Sequence, residues 1–363
     1  VKKVNMGIIL IVLLVLVSSV AYFTLDGSNI SSGDITVTDM VDRVVTIPKS
    51  PDTIVSTSSP LTTIIYMLAP DKLSALSSAW DNGTKFVPDK YRNMTAVGAW
   101  HGKKGTGNDE ALLSLKPDII IDSPRVRQGS VIQSDLQLII DKFSPIPIVA
   151  VPETANLTNV IPTYEFLGKL LNEEENANKL KNTLQSYLDL GAKTKEASKS
   201  KPKNVYYAQG TDGLTTSPSG SEHAQILDII GACNVANITG ETQIQVSQVS
   251  IEQVIKWNPE IIITIDENFY DGIYNSPEWA SITAVKNKQV YLVPTDPYNW
   301  FDMPPGANTV IGIPWTLKVV YPEYNKDWNL KDEVREFYHN FYHYDLSDGE
   351  LTSLLTKSGL KSF

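Results

Sequence analysis

One cysteine, Cys233, is all that 363 residues provide, so no internal disulfide can form. A chain of this size builds its own core and does not need one. Histidine is nearly as scarce, at four, which leaves little for a metal centre made of protein alone. Positive charge is in deficit: 31 Lys and Arg against 41 Asp and Glu give a formal net charge of −10. That removes the basic face on which nonspecific nucleic-acid binding depends. Nucleophile and nucleotide signatures are missing as well. There is no Gly-x-Ser-x-Gly elbow and no Walker A loop. The run "GKKGTG" from Gly102 has neither the spacing nor the strand–helix flanks of a phosphate loop.

What is present is ample core. Hydrophobic residues make up 42% of the chain, and its length accommodates two domains of ordinary size. Long apolar runs are otherwise absent, but Gly7 to Phe23, "GIILIVLLVLVSSVAYF", holds 17 residues without a charge. Lys2 and Lys3 precede it and "DGSNISSGD" follows. Basic, apolar and polar in that order is the layout of an export signal or an N-terminal membrane anchor. No cysteine lies near it to carry a lipid. Sequons at Asn29, Asn82, Asn93, Asn156 and Asn237 agree with an outward-facing protein, cell-surface or periplasmic, or secreted if the segment is cleaved.

Beyond this segment, "ITVTDMVDRVVTI" alternates about Asp42-Arg43 and predicts a hairpin. Strand and helix patterns then take turns: "TIVSTSS", "PLTTIIYMLA", "LSALSS", "EALLSLK", "DIIID", "VIQSDLQLIIDKF" and "IPIVAV". Such alternation implies βαβ units and a largely parallel sheet. Two helical stretches follow. The second opens at Asn172 with Glu175 placed for a capping box, carries Ala177, Leu180, Leu184 and Leu188 on one stripe, and runs into the polar "GAKTKEASKSK". Its length suits a strut between domains. The αβ pattern restarts at "NVYYAQG". The expected class is therefore α/β, two βαβ lobes with largely parallel sheets joined by one long helix. The division is 1–28 for the N-terminal segment, 29–172 for one lobe, 173–200 for the helix and 201–363 for the other lobe.

An internal echo supports the duplication. "EALLSLKPDIII" starts at Glu110 and "EQVIKWNPEIII" at Glu252; in each a proline follows seven residues on, then an acid and three isoleucines. Glu110 and Glu252 fall near the second position of their helices, after Asn108 and Ser250 as N-caps, with Gln253 set to close a capping box. There an acid favours the helix dipole. The matched placement adds a second expectation, a symmetric pair of exposed charges on the two lobe tips.

Ligands of open α/β sheets sit beyond the carboxyl ends of the strands. In the first lobe those loops hold Ser59, Trp80, Trp100, His101, Arg125 and Arg127. In the second they hold Gln209, Asp266, Tyr298, Trp300 and Phe301. The set is aromatic and partly charged, a lining for a large flat ligand rather than a catalytic group. No catalytic residue and no metal site are expected. Cys233 reads as a small buried residue. His339 and His343, four apart in "HNFYH", have the spacing of a helical metal pair, but the interleaved aromatics make a packing helix the better account.

At these residues the chain resembles the substrate-binding proteins of ABC importers for iron–siderophores, haem and vitamin B12, whose lobes are joined by a single long helix. The resemblance covers about residues 35 to 363. "VGAWHG", "VSIEQVI" and "YYAQGTDGLTTSPSGSEHAQILDIIGA" look most like the vitamin B12-binding members. It implies that Glu110 and Glu252 dock arginines of a permease dimer that works with its ATPase, and that Trp100 contacts the ligand. It also implies that "NWFDMPPGANTV" is a cleft loop whose Trp300 and Phe301 the ligand covers. The bound molecule would be a metal chelate: ferric siderophore first, corrinoid next, or haem, with no cofactor of the protein's own. The family's lipid-bearing cysteine is absent, "HGKKGTGND" is longer than a minimal loop, and the stretch after Trp300 is extended. A second reading is a two-lobed enzyme acting on tetrapyrroles, such as a chelatase. It would need a histidine and an acid in the cleft, for which only His101 and His223 are available, in opposite lobes.

Overall fold

The computed structural model describes residues 33–81, 83–101, 105–127, 130–238, 246–326 and 328–363. The apolar segment 7–23 and the sequon residues Asn29 and Asn82 lie outside the described residues, as does the side chain of Arg127. Among the described residues no helix is long and apolar enough to cross a membrane.

The chain opens with the predicted hairpin, Asp34–Thr38 against Val44–Pro48, antiparallel with Thr38 opposite Val44. Asp39 at its turn accepts from the backbone N–H of Val41 and Arg43 and pairs with the Arg43 guanidinium at 2.7 and 2.9 Å. It also accepts from Ala150 N, while Arg43 donates to Ile148 O. One buried carboxylate thus fixes the hairpin to the last strand of the first lobe.

That lobe is a parallel sheet in the order Ile54–Ser56, Ile119–Asp122, Ile148–Ala150. The strand expected at "LSALSS" does not form: Leu73 and Leu76 make isolated bridges to Ile54 and Ala96. The chain bends at Ser77 and Ser78, whose small polar side chains give the sheet little apolar surface to bury. The second lobe is parallel in the order Cys233–Asn234, Asn204–Ala208, Ile261–Thr264, Val290–Leu292. The repeated isoleucine triplets are the buried strands Ile119–Asp122 and Ile261–Thr264, each preceded by a short helix. Cys233 is exposed on the edge strand, not buried as its neighbours implied.

Helix Glu174–Ser198 links the lobes; its 25 residues span about 37 Å at 1.5 Å each. Its first turn differs from the expected capping box. Asn172 takes the left-handed conformation, φ 54°, and closes the preceding helix Ile161–Leu171 instead. Its last turns are not polar all round: Gly191, Thr194 and Ser198 continue the buried stripe of Ala177, Leu180, Leu184 and Tyr187. A side chain at Gly191 would press on Ile229 of the second lobe, so small residues here let the lobe pack close.

The strut is not the sole link. The C-terminal segment returns to the first lobe, where Tyr66 Oη donates to Tyr342 O and His343 Nε2 donates to Tyr66 O. Phe86 packs on Tyr338 and Tyr344, and Tyr66 on Tyr298 and His343. Asp296 of the second lobe accepts from Lys85 N and Phe86 N of the first. The "HNFYH" stretch is the packing element expected. Tyr338, Phe341 and Tyr342 are buried, while His339 is exposed and pairs with Asp345, so the two histidines do not converge.

Candidate ligand cleft between the lobes

Loops at the carboxyl ends of both sheets enclose a cavity of about 650 Å³. Ser59, Thr62, Thr63 and Trp80 line it from the first lobe; Ile265, Tyr298, Asn299 and Met303 line it from the second. Thr62 and Thr63 belong to helix Ser59–Leu68, which starts directly after strand Ile54–Ser56. Trp80 is held in place: its indole N–H donates to Tyr91 O at 3.0 Å, and its ring meets Tyr66 and Tyr298 edge-on at 5.5 and 5.2 Å. Burial raises the Tyr298 phenol well above its ordinary value, so the hydroxyl stays protonated. A second chamber of about 440 Å³ shares Asp81, Ile265 and Thr295 with the first.

The aromatic loop around Trp300 is built by its own side chains. Asn299 Oδ1 accepts from Phe301 N and Asp302 N, and Asn308 Nδ2 donates to Asn299 O and Pro304 O. This turns Trp300 and Phe301 inward, to 0% and 1% exposure, against Tyr338 and Tyr207. The expectation that a ligand covers these two rings is corrected: the C-terminal segment covers Trp300 and the sheet of the second lobe covers Phe301. Met303, 49% exposed, lines the cavity from this loop together with Tyr298, Asn299 and Pro304.

Asp302 itself, next to Met303 in the loop, is fully buried. It accepts from His223 Nδ1 at 2.6 Å, Gln209 Nε2 at 3.2 Å and the Tyr207 hydroxyl at 3.4 Å. Gln209 is therefore in a buried network and does not line the cavity, and its Oε1 is buried with no donor. The first lobe has a counterpart. Asp122, the last residue of strand Ile119–Asp122, accepts from His101 Nε2 at 2.7 Å and Thr57 Oγ1 at 2.6 Å. Its Oδ2 is buried without a partner.

The remaining candidates are elsewhere. Trp100 packs on Phe143 and donates to Asp109 Oδ1 at 2.8 Å, in a groove with His101, Arg125 and Lys142 that only the first lobe lines. Arg125 is exposed, bound bidentate by Asp135, and does not line the cavity. Asp266 caps helix Glu267–Gly272 by accepting from Phe269 N at 2.8 Å. Arg127 is in a two-residue strand pairing with Ser130. Glu110 and Glu252 are exposed in their first helical turns, after Asn108 and Ser250, whose side chains accept from Ala111 N and Gln253 N. The Ser250 hydroxyl holds the Glu252 carboxyl below its usual range. Sequence reasoning passed over Asp122 and Asp302. The signal for Asp122 was a carboxylate directly after a run of buried isoleucines.

Two α/β lobes with a walled cavity between them are the architecture of a solute-binding receptor. The chain belongs to the periplasmic binding protein family, whose model matches residues 54–297. The molybdate-binding protein MolA of Haemophilus influenzae is 27% identical over 336 residues, 84% of this chain and 90% of that protein. A vitamin B12-binding protein of Pectobacterium carotovorum is 27% identical over 213 residues, 59% of this chain and 71% of that one. The solved structure of an ABC transporter solute binding protein from Sulfurospirillum deleyianum superposes with a TM-score of 0.78 at 30% identity, covering 88% of this chain and 99% of that chain. The chain is thus an extracytoplasmic substrate-binding protein of an ABC importer, a partner of a permease and its ATPase, and not an enzyme. The chelatase reading has no support among these relatives.

Proposed function

We propose that the protein captures a metal chelate in the interlobe cavity, a ferric siderophore-type complex before a corrinoid, and delivers it to a permease docked on Glu110 and Glu252. The observation that carries this is the cavity of about 650 Å³ walled by Trp80 and Tyr298, one aromatic from each lobe. Its size falls within the ~300–1,000 Å³ of small-molecule sites, and flat rings on two sides favour a ligand with a broad apolar or conjugated face. A compact chelate fits the chamber alone, whereas a corrinoid needs the adjoining one as well. The apolar segment 7–23 would hold the receptor at the membrane. A relative named for vitamin B12, a metal chelate, supports the class, whereas the molybdate of MolA is an oxyanion.

A melting-shift screen of ferric siderophores, ferric citrate, haemin, cobinamide and molybdate tests the reading. A ligand at a hundredfold excess over its Kd stabilises by about 2.7 kcal/mol, a shift readily seen. The expected result is a shift with a ferric chelate that Trp80→Ala abolishes. No shift with any of them, or one that Trp80→Ala leaves unchanged, overturns it.

A further inference from the structure

The two internal copies match in structure, residue by residue. From Glu110 to Ser123 and from Glu252 to Ile265 the chain runs through the same order of exposed, half-buried and buried positions. Asn108 and Ser250 cap the two helices, and the chain leaves them through Lys116 and Asn258 in the left-handed conformation, φ 50° and 43°. The acid after each proline seats the copy on its lobe. Asp118 accepts from Thr53 N at 2.9 Å and Glu260 from Asn204 N at 3.0 Å, each beside the start of the adjoining strand. Both lobes thus carry this helix in the same setting on the sheet.

One apolar side chain is out of place in both copies. Leu112 and Val254 are 0% exposed, in the cores of their lobes. Leu113 and Ile255, the next residues, are 45% and 41% exposed. A single exposed aliphatic is ordinary on a protein surface. Here it recurs while its surroundings change. Of the exposed positions from 110 to 116, the acid and the aliphatic keep their chemistry in the other copy. Ser114 and Lys116 do not, since Lys256 and Asn258 stand in their places. Glu110 and Leu113, like Glu252 and Ile255, are three apart on a helix and so lie side by side on one face. The acids nearby are neutralised, Asp109 by Lys142 and Glu260 by Lys203. Among the described residues no ion pair reaches Glu110 or Glu252.

We infer that Leu113 and Ile255 are docking contacts in their own right, each entering an apolar hollow beside a basic side chain on one half of the permease dimer. This rests on the reading of Glu110 and Glu252 as docking acids and supplies what the acids lack. An exposed ion pair alone is screened by salt and holds weakly. An aliphatic side chain covered next to it keeps water from the pair and slows its separation. Two matched faces on one chain suit a partner that repeats its own surface about a two-fold axis. The free carboxylates set the sign of the charge they meet. A second copy of this chain, at a net charge of −10, brings like charge instead.

The importer's own permease with its ATPase, held in nanodiscs, is the probe, and receptor binding is followed by interferometry at stepped salt. Leu113→Ala and Ile255→Ala keep helix propensity at exposed positions and should melt with the parent. Each should weaken docking about tenfold, chiefly through faster dissociation, and both together about a hundredfold, because the sites are on different lobes. Their salt dependence should stay that of the parent. Leu113→Met with Ile255→Leu, which keeps the apolar bulk, should dock as the parent does. Glu110→Gln with Glu252→Gln should instead slow association and flatten the salt dependence. If the alanine variants dock normally and the glutamine variants fail, the inference is overturned and the docking acids stand. If the alanine variants fail and the glutamine variants dock normally, the contact is not paired with the acids and the inference falls with them. Normal docking by every variant removes both helices from the interface. Sedimentation of the receptor alone should give a monomer; a dimer that the alanine variants dissolve gives this face to a second copy and overturns the inference.

Discussion

Tyr342 separates the packing of the lobe seam from its hydrogen bonding, because two substitutions there should move stability in opposite directions. Its side chain is fully buried among Tyr338, Phe337 and Tyr298, with ring centroids 4.8, 5.3 and 5.8 Å away. Its hydroxyl is buried without a partner, and burial raises its ionisation well above the usual range. Tyr342→Phe keeps the ring and removes the unsatisfied group, whose penalty is ~1–3 kcal/mol, so the variant should be at least as stable as the parent. Tyr342→Ala removes the ring and leaves a cavity in the seam, a loss of ~3–5 kcal/mol by analogy with other buried aromatics. At about 1.3 °C per kcal/mol for a chain of 363 residues the melting temperature should fall by about 4–7 °C. The cross-lobe bond from Tyr66 to Tyr342 uses backbone oxygen, so neither substitution deletes it directly. Calorimetry on both variants reads the sign, and small-angle scattering reads the lobes. If the Phe variant loses as much as the Ala variant, the hydroxyl has a partner and the reasoning fails. If the Ala variant melts within about 2 °C of the parent, the seam is not packed as described.

Three further outcomes are expected. Burial pushes the His343 imidazole below its ordinary 6.5, so the folded state binds fewer protons there than the unfolded one; stability present above pH 6.5 should decline as pH falls below it. His343→Asn, which tolerates the left-handed backbone at φ 57°, should flatten that decline, whose slope from one group is at most ~1.4 kcal/mol per pH unit in urea titrations at stepped pH. Trp300→Ala should destabilise by ~3–5 kcal/mol, whereas Trp80→Ala should fold and lose ligand-dependent fluorescence quenching; equal melting losses would contradict their different burial. Glu110→Gln with Glu252→Gln should leave affinity and melting unchanged and abolish uptake in cells, since losing one partner of an interfacial charge pair costs ~2–5 kcal/mol; normal uptake would reduce both to helix-dipole partners.

The elements easiest to read in the sequence were those whose pattern is local. The hairpin alternates over ten residues and closes on itself. The isoleucine triplets announce strands buried on both faces, and Asn108 and Ser250 cap helices within three residues of where they stand. Elements decided by a neighbour were harder. Asn172 suits an N-cap and a left-handed C-cap equally well; the helix before it claimed it. Gly191, Thr194 and Ser198 look polar beside their lysines, yet their smallness is what the second lobe packs against. Hydropathy records apolar surface and misses a stripe whose virtue is lack of bulk.

The cleft shows the same division. Trp80 and Trp300 are the same residue type, each in a stretch without regular structure, and hydropathy does not tell which faces the cavity. The difference is made by Tyr338, 38 residues after Trp300, which arrives with the C-terminal segment and covers one ring while the other keeps an open face. The prolines that made this loop puzzling end regular structure, and Asn299 and Asn308 then fold it into a support. A loop carrying that much aromatic surface is core that happens to lack a helix or strand, with Met303 left at its tip. The buried acids follow from the sheets. A parallel strand ends where its backbone groups lose their partners, and a carboxylate there accepts whatever donors the adjoining loops supply. Asp122 takes Thr57 and His101, and Asp302, from its folded loop, takes His223, Gln209 and Tyr207. In each lobe a buried carboxylate thus fixes one imidazole.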